Sequence, residues 1–128
     1  MFKRWAPMSK TEEGAAAEVR ALRFLAARGL RLVERNYRVA RGPAAPGAEI
    51  DLILRDADGT LVFCEVRARA DTRHGGAAAS VTPAKRRRIV YAARHYLQRF
   101  ATPPACRFDV VAIDGATLAW LRGAFDAA

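Results

Sequence analysis

The chain has 128 residues, 52% of them apolar, which is enough for one domain with its own core and too apolar for a disordered segment. It carries 22 Lys and Arg against 13 Asp and Glu, a formal net charge of +9, and so points to a polyanionic partner, nucleic acid first. Its two cysteines have no Cys or His at ligand spacing, which argues against a disulfide framework, and no apolar run approaches the ~20 residues that span a bilayer.

Residues 1–10 read as a flexible tail; they hold charges and Pro7 but no apolar stretch of the kind a signal peptide needs. A cytoplasmic protein with no membrane partner is expected, with residues 11–128 forming a single domain. From Thr11 to Arg28 the pattern is helical, with Gly29 as a natural stop. Ala21, Leu22 and Leu25 follow Glu18 at helical spacing, so Glu18 shares the inward face, an expensive place for a lone carboxylate. Leu30 to Val39 reads as a strand, and Gly42, Pro43, Pro46 and Gly47 mark a loop over 40–47.

Glu49 to Leu54 and Thr60 to Arg67 are two strands joined by Asp56-Ala57-Asp58-Gly59. Gly59 at positive φ favours a three-residue hairpin loop in which Asp56 faces Thr60. That register sets Asp51 opposite Glu65, and Glu49 opposite Arg67. Residues 68–80 are polar and Gly-rich, a mobile loop. Thr82 and Pro83 open a second helix as N-cap and first helical residue. Its apolar stripe is Ile89, Ala93, Tyr96, Leu97 and Phe100, with Lys85 on the same line, and Pro103 and Pro104 end it. Phe108 to Ile113 and Thr117 to Leu121 are strands joined at Asp114-Gly115. The order α-β-β-β-α-β-β describes an α/β domain, a mixed sheet flanked by helices.

Asp51 and Glu65, directly opposite, would have Cβ atoms roughly 4.5–5.5 Å apart. Nothing in fold stability asks for two like charges there, and a divalent cation, Mg²⁺ or Mn²⁺, would remove the repulsion. Glu18 is a candidate third ligand. A purely structural arrangement is also open: Glu49 and Arg67 as a cross-strand ion pair, with Arg67 neutralising its neighbour Glu65. Arg86, Arg87, Arg88 and Arg94 give a basic helical surface suited to phosphates, and Arg69 and Arg73 in the loop are placed to close over a nucleic-acid backbone. Nineteen of the cations are Arg and three are Lys, so an arginine-rich composition accounts for the type of cation but not for the excess over acids. Asp109, beside Arg107, reads as a structural ion pair, Phe108 and Trp120 as core, Cys64 and Cys106 as buried thiols, and His74 and His95 as non-catalytic.

The runs Gly47-Ala48-Glu49-Ile50-Asp51-Leu52-Ile53 and Val62-Phe63-Cys64-Glu65-Val66-Arg67-Ala68-Arg69 resemble the GEIDLI and VFVEVKxR motifs of the YraN-like family. Gly14 and Glu18, Arg35-Asn36-Tyr37, Val81-Thr82 with Lys85, and Arg107-Phe108-Asp109-Val110-Val111 extend the likeness over most of the chain. That family looks related to archaeal Holliday-junction resolvases and restriction endonucleases of the PD-(D/E)XK class. The resemblance implies a restriction-endonuclease-like fold and metal-dependent hydrolysis of DNA phosphodiesters, branched or single-stranded, by a homodimer. It implies Asp51 and Glu65 as metal ligands and Glu18 as the helix acid that approaches the metal. Arg67 stands where the motif has lysine. Arginine can stabilise developing negative charge but is a very poor base. Either Lys85 reaches in from the second helix and activity survives, or the site binds nucleic acid without cleaving it.

Overall fold

The computed structural model describes residues 11–68 and 81–127; the expected tail and most of the expected mobile loop, with Arg69, Arg73 and His74, lie outside the described residues. Helix α1 (Glu12–Ala27) begins where Thr11, in extended backbone, accepts the Gly14 N–H on Oγ1 at 3.0 Å, and Glu12 and Glu13 in its first turn complement the helix dipole. It stops where Gly29 takes a φ of +93°, which a side chain would oppose. Strands β1 (Arg31–Val39), β2 (Ala48–Arg55) and β3 (Leu61–Ala68) follow, then helix α2 (Pro83–Leu97) and strands β4 (Cys106–Asp114) and β5 (Thr117–Phe125). This is the expected order. Thr82 caps α2, its Oγ1 accepting the Lys85 N–H at 3.2 Å, with Pro83 at the first helical position.

The five strands form one sheet in sequence order. Neighbours run antiparallel except β3 and β4, which are parallel and connected through α2. The helices cover opposite faces. On the α2 side Ile53, Phe63 and Val110 meet Ile89, Ala93 and Tyr96, with the rings of Tyr37 and Phe63 edge-on to Tyr96 at 5.4 and 6.0 Å. On the α1 side Leu52, Leu54, Val62, Cys64 and Val111 meet Ala21 and Leu25.

Three expectations need correction. Helix α2 ends at Leu97, with Gln98 as its cap, so the prolines at 103 and 104 follow a turn and do not stop the helix. Strand β5 runs on to Phe125 instead of ending at Leu121, because a register shift between Phe108 and Val110, with Gly123 at φ +60°, lets the ladder resume at Phe108 and Phe125. Cys64 is buried as expected, but Cys106 opens β4 at the rim of the sheet and is exposed.

The same register shift is held by Asp109, which is fully buried. Its carboxylate accepts from Arg107 Nε at 3.0 Å, Trp120 Nε1 at 3.0 Å and the Gly123 N–H at 2.9 Å. Arg107 also donates to Asp56 at 2.8 Å, holding that carboxyl below the usual range and tying the β2–β3 turn to β4. The ion pair expected of Asp109 is therefore present, and Trp120 is its donor as well as a partner of the α1-side core.

Candidate metal centre

The β2–β3 hairpin follows the register expected from its turn. Gly59 sits at φ +91°, the Gly59 N–H reaches Asp56 O at 2.9 Å, and the Asp56 N–H reaches Thr60 O at 2.9 Å. The ladder pairs Arg55 with Leu61, Leu54 with Val62, Ile53 with Phe63 and Leu52 with Cys64, and there it stops. The next rung belongs to Asp51 and Glu65. In place of backbone pairing, Asp51 Oδ2 accepts the Val66 N–H at 2.9 Å, and the Asp51 and Glu65 carboxyls are close enough to act on each other.

A break in the strand's alternation turns Asp51 this way. Along a regular strand Ile50 and Leu52 would share a face. Here Ile50 joins the α2-side core and Leu52 the α1-side core, so the alternation slips at Asp51. On β1, between the pairs Arg35 with Leu52 and Tyr37 with Ile50, Asn36 stands across from Asp51 at φ +52°. Among the described residues it is the one non-glycine at positive φ. Asparagine tolerates that region where β-branched or bulky residues do not. Replacing Asn36 with Ala is expected to destabilise the fold by about 1–2 kcal/mol while Asn36→Gly stays near wild type, as thermal denaturation of the two variants will show.

Asp51 and Glu65 are 6% and 4% exposed, so both carboxyls are out of water. Burial, then the charge of Asp51, pushes Glu65 up to about 8, against the opposing pull of Lys85. Two cations touch the same oxygen: Lys85 Nζ lies 3.3 Å and Arg67 Nη1 3.9 Å from Glu65 Oε2. The structure thus brings Asp51, Glu65, Arg67 and Lys85 together. It does not pair Glu49 with Arg67; the β2–β3 ladder has ended before that rung, and Glu49 is bound instead by Arg38 of β1. Glu18 is 3% exposed on α1, but among the described residues no three acidic, Cys or His side chains converge as a metal-binding group.

Because the folded-state value of Glu65 lies above its ordinary 4.5, its protonated form is favoured by folding. The linked stability is complete below about pH 4.5 and is lost as pH rises through about 8. Chemical denaturation in metal-free buffer should therefore give a stability that falls by up to about 1.4 kcal/mol per pH unit across that window, and a Glu65→Gln variant should flatten the slope.

The donor set fits a hard divalent cation. Two adjoining carboxylates that repel each other out of water make a positive charge between them favourable, whether a proton or an ion. Mg²⁺ is characteristically held by one or two carboxylates, with water and phosphate oxygens completing its shell.

The basic surface of α2 divides. Arg86 is tied down, its Nε donating to Val81 O at 2.9 Å and its guanidinium 5.4 Å from the Phe125 ring centre. Arg87 and Arg94 are exposed on the outer face, while Arg88, half-buried, lies one turn beyond Lys85. The sequence reading missed Asn36, the positive-φ residue that stands across from Asp51. Its signal was present: an asparagine inside a strand is a candidate for positive φ.

The sequence model of a family described as "Uncharacterised protein family UPF0102" matches residues 17–113. A UPF0102 protein of Methylibium petroleiphilum is 68% identical over 114 residues, covering 89% of this chain and 93% of its own. A UPF0102 protein of Paracidovorax citrulli is 62% identical over 114 residues, covering 89% and 82%. One of Cupriavidus taiwanensis is 55% identical over 126 residues, covering 98% and 92%.

Proposed function

The chain belongs to the uncharacterised protein family UPF0102, the YraN-like family whose motifs it carries, and from that premise we propose that it is a divalent-metal-dependent phosphodiesterase acting on DNA. The observation that carries this reading is the buried Asp51–Glu65 pair at the point where the β2–β3 ladder ends, with two cations on one of its oxygens. Asp51 and Glu65 would hold Mg²⁺ or Mn²⁺, with Glu18 of α1 as the third acid that would support the ion. Such an ion supplies Lewis-acid charge to a phosphodiester oxygen. Lys85 and Arg67 would hold the phosphate and stabilise the negative charge that develops on it. The net charge of +9 favours the DNA partner.

A catalytically silent nucleic-acid binder is the second reading, favoured by one observation: Lys85 and Arg67 already stand on Glu65, so the acid cluster is compensated with no metal. Calorimetric titration of Mn²⁺ and Mg²⁺ into the wild type and into Asp51→Asn/Glu65→Gln separates the two. Binding by the wild type that vanishes in the double variant supports the metal centre and should be accompanied by cation-dependent nicking of DNA. No heat in either protein, with DNA present, overturns the hydrolase reading and leaves the binder.

A further inference from the structure

Helix α2 has three faces, and only two of them are used by the core and the carboxylates. Ile89, Ala92, Ala93 and Tyr96 are buried in the sheet, and Lys85 turns to Glu65. The third face, with the end of β5, forms an open groove of about 930 Å³ that runs along α2 from Pro83 and Arg86 to Gln98. Its floor is apolar and aromatic: Val90, Tyr91 and Phe125. The ring of Tyr91 stands edge-on to His95 at 4.6 Å, which fixes its orientation, and Phe125 is fixed by stacking on Phe108 at 5.0 Å. Arg86, Arg87 and Arg94 line the groove against one acid, Asp126.

An aromatic floor under an arginine rim matches one class of ligand well. Unpaired bases offer flat faces for stacking, and the phosphates between them need cations at intervals. Duplex DNA offers phosphates and base edges but no free base face, since its bases are already stacked on one another. A hydrophobic peptide would leave three guanidinium groups without anions. We propose that this groove binds a single-stranded segment of DNA, with a base against Tyr91 and flanking phosphates on Arg87 and Arg94. The proposal rests on the DNA reading above, and the groove, on the side of α2 away from Lys85, would hold a part of the strand remote from the carboxylate pair. Arg86 shapes the groove through its bond to Val81 and its place over Phe125, and Arg87 and Arg94, both exposed, meet the strand.

The test is fluorescence anisotropy with a labelled 15-mer of thymidine and with a 15-bp duplex, in EDTA so that the metal centre plays no part. The single strand should bind at least about tenfold more tightly than the duplex. Tyr91→Ala should weaken single-strand binding by about tenfold with little effect on the duplex, and Tyr91→Phe should retain it, as expected for stacking. Arg94→Glu, at an exposed position that does not disturb folding, should weaken it too and reduce its salt dependence. Equal affinity for both DNAs, or a folded Tyr91→Ala protein that binds as the wild type does, overturns the groove while leaving hydrolysis untouched. Tyr91-dependent binding without any cation-dependent cleavage keeps the groove and sinks hydrolysis.

Discussion

Replacing Asp109 with alanine is expected to cost about 3–5 kcal/mol of folding free energy, the range for breaking a buried, hydrogen-bonded ion pair by removing one partner. Asp109 is wholly inaccessible and accepts from Arg107, Trp120 and Gly123. Its loss would leave the Trp120 N–H and the Gly123 N–H without their acceptor and a half-buried Arg107 with Asp56 alone. The Gly123 contact matters most for shape, since it holds the register shift that lets β5 continue to Phe125. Urea denaturation of Asp109→Ala and Asp109→Asn will measure the effect, and the asparagine, which keeps an acceptor oxygen, should lose less. A cost below about 1 kcal/mol for alanine would show that the bonds are readily replaced by water.

Lys85→Ala is expected to lower cation-dependent cleavage by about 10²–10³-fold, the usual consequence of removing one preorganised donor to a developing charge. Arg67→Lys, by contrast, should change it by less than about tenfold. The reason is geometric: Lys85 Nζ is the nearer of the two cations to Glu65, at 3.3 Å against 3.9 Å for Arg67. The lysine missing from the third strand would then be supplied by the second helix. Single-turnover assays with Mn²⁺ on a nicked or branched substrate decide this. The opposite pattern, a large gain in Arg67→Lys and indifference to Lys85→Ala, would place the lesion at Arg67 and make Lys85 a counter-ion only. Lys85 is partly exposed and outside the core, so its truncation should leave the fold intact.

Much of this was legible in the sequence because it rests on local rules. Gly59 fixed the turn, the turn fixed the register, and the register put Asp51 next to Glu65. Thr11 and Thr82 marked both helix starts as side-chain caps. Lys85 was half legible: its place on the helical stripe aimed it at the sheet, but only the α2 crossover decides which strand it meets. What stayed hidden depends on neighbours distant in sequence. Glu49 pairs with Arg38 because β1 is its partner on that side, and no local pattern states where β1 lies. Arg86 reads as a free phosphate contact until β5 brings Phe125 beneath it. Asp109 announced an ion pair through Arg107, yet its bonds to Trp120 and Gly123 require the β4–β5 register.

The early end of the β2–β3 ladder has a mechanical consequence. From the turn to Leu52 and Cys64 the two strands are fastened to each other, and the turn itself is pinned by Asp56 and Arg107. Beyond that point each is held from outside, β2 by β1 at Ala48 to Ile50 and β3 by β4 at Glu65 to Ala68. The sheet is therefore a tuning fork, with a rigid stem and two prongs, and the two carboxylates sit at the crotch. Across the gap Asp51 clips to the Val66 N–H, and no rung of the β2–β3 ladder spans it. Any change of spacing between Asp51 and Glu65, between a shared proton and an ion, would fall on the prongs and would break no rung of the β2–β3 ladder.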